Sequence, residues 1–373
     1  MGSLRHSRLV LFFTRDVSLH KWSEIGMLSR EVLLYQHLYP HLRTITFVTY
    51  GDARDLDYVT QLNSIRIICN RWGLSEQLYT SLISCFYPLW WRGATILKSN
   101  QIPGAEIALK VAQRFQMKYI ARCGYLPSNI VLWQDGEDSS AFQRAQQREA
   151  AVFRAADRVV VTTEVMYQTL IARYGIAREK VWIIPNYVDT QCLKPSPNSR
   201  VPRLLCFVGR LEKEKNIEAL LDAIEGLEVE LMVIGGGSLQ GELMQRAQEK
   251  QLRVRFIGNV PHQVLASYFN RASLFILPSF IEHHPKALLE AMACGLPVIG
   301  TNVTGIRELI CHRETGYLCG TSAKEIREAI GEVLSDKSLC AHLGSNARSY
   351  AVEHFALERI VKMELNLLEE LSG

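Results

Sequence analysis

The feature that most constrains this chain is an alternation, run through twice, of short β-branched or apolar segments with longer helical patterns. In the first half the strand-like runs are residues 8–14, 44–49, 64–69, 94–97, 118–121 and 158–161. Helical periodicity occupies residues 22–38, 74–91, 105–115 and 142–156 between them. Continuously apolar strands joined by crossover helices belong to a parallel sheet buried on both faces. The polar, proline-rich segment "LKPSPNSRVP" at residues 193–202 then interrupts the rhythm and reads as an interdomain linker. Beyond it the pattern restarts with "RLLCFVG", "VELMVIG", "VRFIG", "SLFILPS" and "LPVIGT", and helices begin near Asn216, Leu239, His262 and Pro285. The expectation is an α/β chain of two doubly wound domains, residues 1–195 and 203–355, facing each other across a cleft. Open α/β sheets take ligands beyond the carboxyl ends of their strands, so that cleft is the expected site.

A length of 373 residues suits two domains of ordinary size. Hydrophobic residues at 48% and charged residues at 21% exclude disordered and fibrous classes. A net charge of +4 favours anionic partners but falls short of the basic signature of nucleic-acid binding, so no nucleic acid is expected. The nine cysteines never fall in a CxxC spacing and read as reduced thiols of a cytoplasmic protein. No apolar run approaches the roughly 20 residues of a membrane span, and "RLVLFF" is too short for a signal-peptide core.

The densest chemistry lies in "PSFIEHHPKALLEAMACGLPVIGT", from Pro278 to Thr301. A strand ends near Ser279, and Pro285 fits the first turn of a helix, where its missing N–H costs nothing. Glu282 then lies in the loop before that helix, and Glu290 about one and a half turns into it. Two carboxylates accept hydroxyl hydrogen bonds, and the amides of a helix start suit a phosphate. Upstream, "FVGRLEKEKN" places Arg210 after a strand and Lys215 at the next helix start, two cations able to hold a diphosphate without metal. "VIGGGSL" at residues 233–239 serves equally well as a tight turn or a ligand cradle.

Together these motifs resemble the donor domain of family 4 of the nucleotide-sugar-dependent glycosyltransferases, the retaining GT-B enzymes. The matching elements are Gly209-Arg210-Leu211 with Lys215, the glycines Gly235 to Gly237, "FIGNV" ending at Val260, and Glu282 with Glu290 followed by "AMACGLPVIGT". "IIPNYVDT" at residues 183–190 is similar to the family's I-P-N-G-V-D segment, with Tyr187 in the glycine position. The resemblance implies two Rossmann-like domains and a C-terminal helix, about residues 356–373, packed back onto the first. It further implies that Gly209, Arg210 and Lys215 hold the donor diphosphate. Glu290 would bind the ribose, and Glu282 with His283, His284, Pro285, Lys286, Ala287 and Leu288 the transferred sugar. Gly235, Gly236 and Val260 would border the nucleotide. The usual Gly-x-Gly after the first glutamate is replaced here by His283-His284-Pro285, a departure that bears on sugar identity. No metal or other cofactor is expected, and UDP is the favoured donor nucleotide. The acceptor would be a hydroxyl on a glycan, a lipid-linked sugar or a small molecule.

In the first half the acceptor candidates are the loops at residues 14–22, 99–105 and 121–129. Where many relatives carry a histidine near the reacting centre, this chain has Arg122 and Tyr125, and Arg122 is the catalytic candidate there. Adjacent His283 and His284 raise a metal reading, but chain neighbours rarely point at one ion and no third ligand is evident. "DGED" at residues 135–138 precedes a helical pattern and reads as its N-terminal cap. The aromatics Phe86, Tyr87, Trp90 and Trp91 beside Arg92 and Lys98 have two readings: packing of a helix onto the sheet, or contact with the inner membrane face. Two alternatives to transfer share the scaffold, namely a nucleotide-sugar epimerase or hydrolase and a non-catalytic nucleotide-sugar binder.

Overall fold

The computed structural model describes residues 4–62, 64–85, 95–196 and 200–372. It divides into two compact units, one of Met1–Pro185 with Ile360–Gly373 and one of Asn186–Arg359. In the first, seven strands form one sheet: β1 (Arg8–Phe12), β2 (Thr44–Val48), β3 (Arg66–Ile68), β4 (Thr95–Ser99), β5 (Lys118–Cys123), β6 (Arg158–Val161) and β7 (Val181–Ile183). Their spatial order is β3-β2-β1-β4-β5-β6-β7, and every pairing is parallel, with Arg8 opposite both Thr44 and Thr95. Residues 95–99 of β4 are buried throughout, as a central strand covered on both faces must be.

Local chemistry sets the helix ends. The pattern at residues 22–38 resolves into two helices, Leu19–Glu24 and Leu28–Leu38. Gly26 between them adopts φ 75°, a left-handed turn that closes the first helix before the second starts. "DGED" is not a cap: Asp135 ends the helix Pro127–Asp135, and Ser139 caps Ser140–Ala155 by accepting from the Phe142 amide. Asp138, the last of the acids, falls one residue before the cap position, and Ser139 takes that position instead. The aromatic segment Phe86, Tyr87, Trp90, Trp91 and Arg92 lies outside the described residues. Lys98, counted with it, points into the first unit, where it is fully buried and its Nζ lies 2.6 Å from both carboxylate oxygens of Glu364.

The second unit repeats the plan with β8 (Leu204–Val208), β9 (Glu230–Ile234), β10 (Val254–Gly258), β11 (Leu274–Leu277), β12 (Val298–Thr301) and β13 (Tyr317–Cys319), in the parallel order β10-β9-β8-β11-β12-β13. The three-residue strands β7 and β13 escape the sequence pattern because so short a run carries no period. Much of the segment expected as a linker is docked instead. The Leu193 carbonyl accepts from Arg348 at 2.8 Å, and Asn270 bonds both the Ser196 amide and the Lys194 carbonyl, at 2.9 Å each. The Val188 amide donates to the Phe355 carbonyl at 2.8 Å, which ties the chain from Asn186 onward to the second unit and moves the division to Pro185. Among the described residues no helix is long and apolar enough to cross a membrane.

Candidate functional site

In the second sheet, successive strands run outward from β8 through β9 to β10, and the chain then returns to place β11 on the other side of β8. The reversal between β8 and β11 is the switch point, where the loops leave on opposite sides and open a crevice beyond the strand ends. Arg210 and Lys215 follow β8, and Glu282 to Pro285 follow β11.

Asn216 holds the two loops together. It takes the left-handed conformation at φ 53° and occupies the N-cap position of the helix Ile217–Ile224 without a side-chain bond to its amides. Its side-chain amide donates to the carbonyls of Pro278 at 3.0 Å and Thr321 at 2.8 Å, so the loop after β8 is tied to the loops after β11 and β13. This registers Lys215 against Glu282, with Nζ 2.5 Å from Oε1, and the Ser279 hydroxyl donates to the same oxygen at 2.8 Å. Both partners are largely buried, at 14% and 9% side-chain exposure, which sharpens their attraction relative to a solvent-exposed pair. Arg210 instead reaches outward at 71% exposure and is braced by Glu214 at 2.7 Å.

The glycine turn has a structural reason. Gly235 sits at φ 125°, and a Cβ there would stand 2.0 Å from the Gly209 carbonyl oxygen. The loops after β8 and β9 run backbone against backbone, with the Leu211 amide donating to the Gly236 carbonyl at 3.0 Å. Glycine is therefore required at position 235 whether or not a ligand approaches.

Past the histidines, the helix Lys286–Ala293 begins after Pro285, and the amides of Ala287 and Leu288 occupy its first turn, where the helix supplies no acceptor. Glu290 is 2% exposed and lies with Oε1 3.1 Å from Nε2 of His262, the first residue of the helix His262–Arg271. Sequence reasoning missed His262 as a site residue, because its partner is distant in the chain and the only local signal was a helix start. Val260, two residues earlier, packs against the unit's core. His283 is mostly buried, and that desolvation lowers its pKa to about 4, with Glu282 drawing it up and Lys215 pushing it further down. His284 stacks edge-on to Phe355 at 5.4 Å, and its carbonyl accepts from Asn186 at 2.8 Å. Both imidazoles are thus part of the loop's packing, and among the described residues no three His, Cys, Asp or Glu side chains gather as metal ligands would.

The structure thus brings Lys215, Glu282, His283 and Glu290 with His262 around the two loops of one switch point, with Arg210 at the rim. Arg122 belongs to the first unit, on β5. There it contributes to depressing the Lys98 pKa, below the effect of burial and against the upward pull of Glu364.

A sequence model described as Glycosyl transferases group 1 matches residues 193–350, the stretch that holds the switch point, and one described as Glycosyltransferase Family 4 matches residues 128–191. The chain belongs to glycosyltransferase family 4. Its two parallel-sheet units are the Rossmann-like halves of the GT-B fold. The chain is 32% identical over 180 residues to N-acetyl-alpha-D-glucosaminyl L-malate synthase of Bacillus anthracis, covering 46% of either chain. It is 30% identical over 254 residues to D-inositol 3-phosphate glycosyltransferase 1 of Catenulispora acidiphila, covering 61% of this chain and 60% of the relative. The family member thus spans about half the length of the curated relatives it matches. Among solved structures, Anabaena Alr3699/HepE in complex with UDP superposes with a TM-score of 0.78 at 17% identity, over 97% of this chain and 100% of the other. Sucrose-phosphate synthase of Thermosynechococcus elongatus gives 0.79 at 22% identity, over 98% and 99%. These structural likenesses speak to the fold alone.

Proposed function

We propose that the second unit binds a nucleotide-diphosphate sugar, with UDP the favoured nucleotide, and that the enzyme transfers the sugar to a hydroxyl acceptor with retention of anomeric configuration. The observation that carries this reading is the Lys215–Glu282 pair held at the switch point beside the start of a helix. A diphosphate arriving there competes for Lys215 and releases the Glu282 carboxylate, which can then accept hydrogen bonds from sugar hydroxyls. In this reading the exposed Arg210 closes on the same anion. Glu290, oriented by His262, accepts from the ribose hydroxyls.

As the bond to the sugar breaks, negative charge grows on the departing diphosphate. Arg210, Lys215 and the first-turn amides stabilise it, which lowers the barrier without a metal ion. In this reading the acceptor attacks the face that the leaving group vacates, and the departing phosphate takes the acceptor proton, so no carboxylate nucleophile is needed. The complexes of the Anabaena neighbour support the donor choice, since that protein was crystallised with UDP and with UDP-glucose.

The test is calorimetry with UDP alongside turnover of UDP-sugars. Glu290→Ala and His262→Ala are each expected to weaken UDP binding, whereas Glu282→Ala spares UDP binding and impairs transfer. Arg210→Ala should lower kcat/KM by about 2–4 kcal/mol of transition-state stabilisation. Full activity of Arg210→Ala would refute the assignment, and conversion of the donor with no acceptor present would indicate an epimerase or hydrolase instead.

A further inference from the structure

The first unit contains a cavity of about 630 Å³. Three loops supply one side of it: Arg15 follows β1, Ile102 to Gly104 follow β4, and Pro127 follows β5. In that sheet the chain builds outward from β1 to β3 and then returns to set β4 against the other edge of β1. The cavity therefore opens at the first unit's own switch point, the place in an open parallel sheet where a ligand crevice forms.

The facing wall is the helix Ser140–Ala155. Ala141, Ala145 and Val152 line the cavity from one face of this helix, and two small alanines leave room that larger side chains would fill. The same face carries Arg144 and Arg148, four residues apart, a spacing at which like charges repel. Arg144 donates to the Ser140 hydroxyl at 2.9 Å, and among the described residues neither guanidinium has a carboxylate partner.

The other charges of the cavity are already compensated. Arg15 is ion-paired with Glu106 and lies 3.5 Å from Glu76. Glu106 also accepts from the Gly104 amide at 3.1 Å. Glu149 turns into the unit's interior, where it accepts from the Ser128 amide at 2.7 Å, the Ser128 hydroxyl at 2.8 Å and the Tyr174 hydroxyl. Among the described residues Arg144 and Arg148, both exposed, remain as two positive charges without a carboxylate partner beside Ala141, Ala145 and Val152.

We propose that this cavity binds a phosphate-bearing ligand, its phosphate held between Arg144 and Arg148 and its body against the apolar wall; within the transfer reading above, on which this last step rests, that ligand is the acceptor. A phosphate carries close to two negative charges near neutrality and matches the pair, whereas a single carboxylate would leave one guanidinium uncompensated. The same phosphate could belong to a soluble sugar phosphate or to a lipid, and the two sources differ in how they use the apolar wall.

The test titrates the full chain with glycerol 3-phosphate and with decyl phosphate by calorimetry. Arg144→Gln with Arg148→Gln is expected to weaken binding of the better probe at least tenfold and to leave UDP binding unchanged; the corresponding double lysine variant should fall between. Tighter binding of decyl phosphate by tenfold or more assigns a lipid phosphate, and comparable or tighter binding of glycerol 3-phosphate assigns a soluble one. Equal affinity in wild type and both double variants, or no binding to the wild type, overturns the proposal. So does binding that disappears in Arg210→Ala while surviving the glutamine pair, because the phosphate would then sit in the second unit. Failure of the transfer reading shows separately, as absence of donor turnover in the wild type, and leaves the phosphate titration interpretable.

Discussion

His283 shows how one residue can be visible in the sequence and still be misjudged there. "EHHP" stands out as a departure from the family pattern, and adjacent imidazoles invite a metal, yet burial in the loop after β11 keeps the His283 pKa at about 4. An unfolded histidine titrates near 6.5, so between the two values the unfolded chain binds the additional proton, and stability must fall as the pH drops from about 6.5 to 4. Replacing it by glutamine, which cannot titrate, should remove the roughly 3 kcal/mol of stability lost over that window. Urea titrations of His283→Gln and wild type at several pH values check this, and superimposable pH profiles would count against the buried neutral imidazole. The ion pairs of the site were less legible. Lys215 and Glu282 were each recognisable from a local motif, but their contact spans 67 positions of chain. The link of His262 to Glu290 left no local trace.

At the level of elements, the last helix, Leu357–Ser372, shows what amphipathic patterning leaves out. Its periodicity announces a helix with one apolar face, and Ile360, Leu367 and Leu368 are indeed buried. Glu364 lies among them, 1% exposed, and is ion-paired with Lys98 of the strand β4. Removing one member of such a pair strands the other's charge in the interior. Glu364→Ala should therefore destabilise the chain by about 3–5 kcal/mol, while Lys98→Met combined with Glu364→Leu recovers most of that loss. Denaturant unfolding of the three proteins measures it, and a single variant as stable as wild type would show that the pair is dispensable. Strand ends were similarly mixed. Long apolar runs such as "SLFILPS" located β11 within a residue or two, whereas β7 and β13 exist because neighbouring strands offer an edge to pair with. That requirement is tertiary, and nothing within three residues encodes it.

Across the whole molecule, the two sheets share one topological device, a reversal of strand order beside the first strand of each unit. In the second unit it gathers Arg210, Lys215 and the helix start after Pro285. If these groups together neutralise a diphosphate, UDP should stabilise the protein by about 2.7 kcal/mol at one hundred times its Kd, and chelation should not diminish this. A thermal shift that vanishes in EDTA would show that a metal takes part. Alternation of strand and helix, their order, and the placing of Gly209-Arg210 and Glu282 at element ends and of Glu290 inside the helix that follows were all determined by the sequence, because each depends on residues within a turn or two of one another. Tertiary structure alone decided which side chains meet: Lys215 with Glu282, His262 with Glu290, and Lys98 with Glu364. Those meetings follow from strand order and from loops packed backbone to backbone, and both come into being only when distant segments have assembled into a sheet.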